Sequence, residues 1–317
     1  MKDMNHLVNF SLLNLDKPSG PTSFNVSEFV RRKLGLTKTS HMGTLDPAVS
    51  GVLPITLGRA CRLASHFIRH DKDYVGVLET HKNCDLKVLQ GLIDENFSGK
   101  IMQTPPHKSA VKRVEREREV YSFEFIEAHP DRRHFLFKCS VEGGTYIRKI
   151  CSDLGERIGG AHMCELRRTR AGIFSEEKIY KLGDFVKAVE EWKKGNEKKL
   201  REMIVPAEVA IREVLPSVEI KKVAVKRLMR GSPLFKEDVI NQFKIKDFKL
   251  ELGEIKDDNL RRYNKKIEDV SGVGKDLKDG FFAVFCGKDF VGIYKVVEGW
   301  SNKGKSKIFA KAEFVFN

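Results

Sequence analysis

The sequence predicts an α+β protein: a large domain on a mixed, largely antiparallel sheet flanked by helices, then a small β-rich domain. Three observations support this. Tyr121, Phe123 and Phe125 alternate with polar residues, as do Phe135, Phe137, Cys139 and Val141, the period-two signature of half-buried strands. Ile147, Ile150, Cys151, Leu154 and Ile158 follow at helical spacing, so a helix with one apolar face is interleaved with those strands. Far downstream, the runs 281–285 and 290–294 flank Cys286-Gly287-Lys288-Asp289, the pattern of a hairpin in a separate β-rich unit.

The elements follow in chain order. Residues 11–15 read as a strand that ends at Asp16-Lys17-Pro18-Ser19-Gly20-Pro21, a strong turn signal. Thr22 or Ser23 caps a helix whose apolar residues are Val26, Phe29, Val30 and Leu34, with Gly35 as its stop. A loop containing Asp46 comes next, just before the apolar run 52–55. Residues 74–78 read as a strand and 84–97 as a helix. The stretch 104–119 breaks pattern, with Pro105-Pro106 and many charges. The two alternating strands pair around the turn 130–133, and the helix after them starts near Thr145 and closes at Gly159-Gly160. Residues 181–200 predict one more helix, with Phe185, Val189 and Trp192 on one face. A boundary between Pro206 and Pro216 divides the chain into domains 1–212 and 213–317, the second carrying a charged, weakly periodic insertion at 236–279.

Composition bounds the function. The 317 residues suffice for one large domain or two ordinary ones. A formal net charge of +14 points to an anionic partner, nucleic acid first, with plain solubility as the alternative. The six cysteines form no CxxC pair, so neither a zinc knuckle nor a redox motif is visible; free thiols in the cytoplasm are expected. Residues 1–9 have no apolar core of a signal peptide, and no run approaches the apolar length of a membrane span. No ligand cluster and no phosphate-binding glycine loop stands out, so neither metal nor cofactor is expected.

A few side chains could carry chemistry. Asp46 lies in a turn between Gly43 and Gly51; a carboxylate held rigidly there can act as nucleophile or base, though for a lone acid an Asp-Pro turn is the ordinary reading. Arg148, in the first turn of its helix, is disfavoured by the helix dipole and so suggests a paired carboxylate, or else a solvated surface arginine. Tyr74 can stack on a base and move a proton through its hydroxyl, or simply pack in a strand. His41 can stack on a base, fill the space a flipped nucleotide leaves, or position the loop. Lys17 belongs with the RNA-facing set, although with Pro18 it is better suited to fixing the loop. Two basic segments, 105–113 with Lys108, Lys112 and Arg113, and 166–170 with Arg167 and Arg168, can track a phosphate backbone or be solvated surface charge.

Taken together, these residues resemble the pseudouridine synthases that modify the tRNA T-loop (the TruB type) and their dyskerin-type relatives, in the archaeal box H/ACA-like branch. The matching pieces are residues 15–23, 41–57, 73–75 and 144–148, with 105–113 and 160–172 closer to the archaeal and eukaryotic branch. The tail resembles a PUA domain, a small RNA-binding β-barrel. The chain departs from the dyskerin pattern where only about a dozen residues precede the first motif, in place of a longer extension that packs on the PUA domain.

The resemblance implies a catalytic Asp46, a Tyr74 that stacks on the target uracil and helps move its C5 proton, and an Arg148 paired with Asp46. It implies that His41 holds the flipped-out nucleotide and that Leu166 lines the pocket. It implies isomerisation of uridine to pseudouridine without metal or cofactor. The expected partners are tRNA, or box H/ACA guide RNA with its rRNA target, and small H/ACA accessory proteins. Extraction of a base from its stack fits a basic surface around a closed pocket. Two competing functions are a non-catalytic RNA-binding scaffold, suggested by the net charge and the tail, and a metal-dependent nuclease, which would need more clustered acids than the loop offers.

Overall fold

A short helix, α1 (Met4–Asn9), capped by the Asp3 carboxylate, leads into β1 (Phe10–Lys17), which is buried along nearly its whole length. The computed structural model describes residues 3–68, 70–105, 113–240, 281–297 and 308–316. Thr22 caps α2 (Ser23–Leu34) by accepting the Asn25 N–H, and Gly35, at φ +68°, ends it in the left-handed conformation that suits glycine. After the edge strand β2 (Thr39–His41) and an eight-residue loop, β3 (Ser50–Gly58) runs back antiparallel to β1. Then come α3 (Ala64–Ile68), β4 (Lys72–Thr80), α4 (Leu86–Asn96) and β5 (Gly99–Gln103).

The two alternating segments form the expected hairpin, β6 (Arg116–Ala128) and β7 (His134–Val141). Helix α5 (Ile147–Ile158) buries Ile147, Ile150, Cys151 and Leu154 and stops at Gly159, with φ +85°. The strand that follows, β8 (Ala161–Ala171), was not anticipated: three arginines in five residues read as surface. It lies inside the sheet, parallel to β3 on one side and antiparallel to β4 on the other. Short strands β9 (Phe174–Ser175) and β10 (Tyr180–Lys181) precede α6 (Leu182–Lys193), α7 (Lys198–Met203) and β11 (Ile204–Pro206). The single helix expected over 181–200 is thus two, broken where Gly195 takes φ +96°.

The resulting eleven-stranded sheet runs β10-β1-β3-β8-β4-β7-β6-β5, with β2, β9 and β11 pairing at its flanks. The β1–β10 and β3–β8 pairs are parallel; the others are antiparallel. The chain folds as two compact units that divide at Ala210/Ile211, within α8 (Ala207–Val214).

The second unit contains β12 (Ser217–Glu219), α9 (Val225–Leu228), β13 (Leu234–Phe235), β14 (Phe281–Cys286), β15 (Asp289–Val296) and β16 (Ile308–Val315). Its five-stranded sheet, β12-β14-β15-β16-β13, includes the expected hairpin around Gly287. Ile220, Leu228, Leu234, Val284 and Tyr294 form its core, and the buried Tyr294 hydroxyl donates to the Leu228 carbonyl at 3.1 Å. Most of the 236–279 insertion lies outside the described residues, as do Lys108 and Lys112. No helix among the described residues is long and apolar enough to cross a membrane.

Candidate active site

The loop between β2 and β3 is shaped by buried cations that take its carbonyl oxygens. Lys17, at the end of β1, is 0% exposed; its Nζ donates to the carbonyls of Pro18, Pro47 and Val49 at 2.9, 2.9 and 2.7 Å. Arg168, in β8, is also 0% exposed; its Nε donates to Val52 O at 2.8 Å and its Nη2 to Gly43 O at 3.1 Å. Ser23, the first residue of α2, grips the loop at both groups of Leu45, with Leu45 N–H to Oγ at 2.8 Å and Oγ to Leu45 O at 3.1 Å. A buried charge needs such partners, because an unsatisfied one costs several kcal/mol. Gly43 (φ +89°) is crowded: a Cβ there would meet Lys72 Cε at 3.1 Å and Arg168 Nη1 at 3.2 Å.

Asp46 stands on this clamped loop and meets Arg148 from α5, with Arg148 Nη1 3.1 Å from Asp46 Oδ2; both side chains are 44% exposed, so the pair faces solvent. Helix α5 starts without a side-chain cap on its N-cap residue, Tyr146. Gln103, buried at the end of β5, fixes that residue instead: Tyr146 N–H donates to Gln103 Oε1 at 3.0 Å, and Gln103 Nε2 donates to Tyr146 O at 3.2 Å. Arg148 is thus presented two residues beyond a peptide held at both polar groups. Tyr146 also lines a small open cleft, together with Gln103, Pro105, Arg116, Arg118 and Gly144.

Tyr74, on β4, is 7% exposed and belongs to the core of the first unit. Burial pushes its phenol up, with Arg168 opposing and the charge of Asp46 adding to the rise. At neutral pH it is therefore a hydroxyl that can donate or relay a proton, not a standing base. Leu166 is buried in the same core, opposite Gly76, where a Cβ would meet Phe137 Cζ at 2.5 Å and Leu166 Cδ1 at 2.8 Å. His41 is half-buried, its Nε2 3.1 Å from Thr44 Oγ1, and burial with Arg168 lowers its pKa. It therefore favours a neutral ring.

The expectation that Lys17 and Arg168 contact RNA is corrected. Lys17 and Arg168 have no exposed surface to offer. Arg167 grips both oxygens of Asp16, at 2.9 and 3.2 Å, and also bonds to Glu176. Arg170, three residues further along the strand, holds both oxygens of Asp73 at 2.6 and 2.8 Å. On β8, Arg168 is consumed inside the fold by carbonyls, while Arg167 and Arg170 are held by carboxylates and Arg167 stays 37% exposed. Arg113 is exposed, just before β6.

Lys72 was missed altogether. It is buried two residues before Tyr74 on β4, donates to the Ile68 and His70 carbonyls, and packs under Gly43. Burial, and next the nearby Arg168, pulls its ammonium down to about 7. Its only sequence signal is that period two puts it on the Tyr74 face of the strand. Gln103 carried no signal either, because its partner is a peptide group 43 residues away.

Residues 31–96 match the TruB family pseudouridylate synthase N-terminal domain, and 148–212 match the tRNA pseudouridylate synthase B C-terminal domain. Asp46 and Tyr74 fall in the first, Arg148 in the second. The protein named probable tRNA pseudouridine synthase B of Archaeoglobus fulgidus is 44% identical over 235 residues, 74% of this chain and 71% of that one. The protein of the same name from Methanopyrus kandleri is 44% identical over 70% of this chain and 65% of its own. The chain thus spans about two-thirds of the length of these relatives. Among solved structures, a Cbf5-Nop10-Gar1 complex matches with TM-score 0.79 and 33% identity, over 99% of this chain and 87% of that one. An H/ACA RNP bound to a substrate RNA containing 2'-deoxyuridine matches with TM-score 0.78 and 31% identity, over 100% and 88%.

Proposed function

The chain belongs to the TruB family of pseudouridylate synthases, and on that premise we propose that it isomerises uridine to pseudouridine in RNA with Asp46 as the catalytic carboxylate. The observation that carries the assignment of Asp46 is its 3.1 Å pairing with Arg148 on a loop whose carbonyls are tied to buried cations. Arg148 takes one carboxylate oxygen and leaves the other to meet the nucleotide. Asp46 then acts at the sugar–base unit as nucleophile or base. The N1–C1′ bond breaks, the uracil turns while held, and the C5–C1′ bond forms as C5 loses its proton. Tyr74 stacks against the uracil and passes that proton as a neutral hydroxyl. His41 holds the flipped nucleotide, and Leu166 shapes the pocket wall. The clamped loop keeps the carboxylate in place without rearrangement during reaction, which is where positioning contributes most.

The substrate is tRNA, as the names of the relatives have it, or an RNA brought by an H/ACA guide, as in the RNP whose structure matches end to end. The likeness to Cbf5 in complex with Nop10 and Gar1 supports small accessory partners of that kind. The cleft with Arg116, Arg118 and Tyr146, together with the exposed Arg113, supports an RNA-facing surface. The second unit serves as a PUA-like RNA-binding domain, and six cysteines without disulfides support a cytoplasmic setting.

The test is to map pseudouridines made by the purified chain on tRNA transcripts, with and without guide RNA and accessory proteins. Asp46→Asn should lose at least about four orders of magnitude in rate while binding RNA normally. Full activity in that variant would sink the mechanism. RNA binding with no product from the wild-type chain under every condition would favour the scaffold reading.

A further inference from the structure

About 17 Å along β4 from Tyr74, five residues at the strand rise, a second group of reactive side chains gathers on three neighbouring strands. Glu79 on β4 lies opposite His134 on β7 and His162 on β8. Cross-strand partners share a face, so the carboxylate sits between two imidazoles. The β4–β8 register shifts between Leu78/Met163 and Val77/Glu165, which leaves Cys164 as the unpaired residue of a bulge. Bulges re-aim side chains, and this one brings Cys164 to the Glu79 side. Donor atoms of Glu79, His134 and Cys164 all lie within 4.8 Å of one another.

The orientations within the group matter more than its proximity. Arg133 binds Glu79 Oε1 at 3.1 Å, while Oε2 faces His134 Nε2 and His162 Nε2, each at 3.5 Å. His134 Nδ1 is 2.7 Å from Asp131 Oδ2. Asp131 Oδ1 accepts the Arg133 and His134 backbone N–H groups, which fixes its carboxyl behind the ring. Asp131 thus meets one ring nitrogen of His134 and Glu79 the other. A carboxylate behind a histidine is also the usual support of a metal-ligating imidazole.

We propose that Glu79, His134 and Cys164 form a binding site for a divalent transition-metal ion of the zinc type. One sulfur, one imidazole nitrogen and one carboxylate oxygen make a donor set suited to tetrahedral coordination, with the fourth position filled by His162 or water. Asp131 orients His134 from behind. On binding, the Cys164 S–H bond is replaced by a sulfur–metal bond and the proton leaves to solvent. The ion would staple the ends of β4, β7 and β8, far along the sheet from Asp46.

The test uses the full-length chain without a tag, stripped with chelator and titrated with cobalt(II). A thiolate-to-cobalt charge-transfer band should grow to saturation at one equivalent per chain and be erased by zinc. Cys164→Ser, a near-isosteric change at an exposed position, should abolish the band. Asp131→Asn should weaken binding about tenfold or more. A chain that gives no such band, or a band that survives in Cys164→Ser, overturns the proposal.

Discussion

Arg168 and Gly43 are 125 residues apart in sequence, and the Arg168 Nη2 donates to the Gly43 carbonyl at 3.1 Å. With Nε on Val52 O, one buried guanidinium bridges the two ends of the loop that carries Asp46. Arg168→Ala should cost about 3–5 kcal/mol by urea denaturation, because two charge-assisted bonds and the packing of a large side chain are lost. Its RNA affinity, measured as a function of salt, should keep the wild-type slope, since a side chain with no exposed surface neutralises no phosphate. A reduced slope would return Arg168 to the RNA surface.

Gln103 should prove to act through Arg148. Gln103→Ala removes both bonds to the Tyr146 peptide while leaving Asp46 and Arg148 intact, so kcat should fall roughly ten- to a hundredfold. KM for RNA should change less than about twofold. A rise in KM at unchanged kcat would instead make Gln103 a substrate contact.

Lys72 gives a pH dependence with a definite sign. Its folded-state ammonium titrates near 7, against 10.5 for an ordinary lysine. Below about pH 7 both states hold the proton, and the buried charge counts fully against the fold. Between about 7 and 10.5 the unfolded chain binds more protons than the folded one, so this contribution to stability rises with pH. The wild type should therefore gain on Lys72→Met by up to about 1.4 kcal/mol per pH unit across that window. Denaturation curves at several values between about pH 6 and 9 measure it, and a flat difference would mean that Lys72 does not titrate there.

Two glycines with positive φ should differ in how much they lose on gaining a side chain. At Gly51 (φ +104°) a Cβ would stand 2.2 Å from the Arg168 carbonyl oxygen, where β3 meets β8. Gly51→Ala should lose more than about 4 kcal/mol or fail to fold. Gly20 has a similar φ of +113° with nothing within 4 Å of the added carbon, so Gly20→Ala should cost only backbone strain, about 1–2 kcal/mol. Thermal melts of the two variants decide.

What was legible in the sequence followed from local pattern. Alternation marked β6 and β7, helical spacing and caps marked α2 and α5, and Asp46 and Arg148 were expected as the pair that meets at 3.1 Å. What was hidden depends on distant partners. Strand β8 looked like surface because Arg167, Arg168 and Arg170 carry charge, yet their counterparts come from residues 16, 43, 52 and 73. Gln103 and Lys72 bond to backbone groups, and a carbonyl leaves no trace in residue identity.

The loop that carries Asp46 is consequently not a portable motif. Its shape is held by Lys17, Ser23 and Arg168, all outside residues 41–51, through carbonyl and amide groups that any sequence would possess. A peptide of those eleven residues, or the same stretch grafted onto another scaffold, would keep the aspartate and lose its aim. A working transplant would have to carry along the end of β1, the first turn of α2 and the middle of β8.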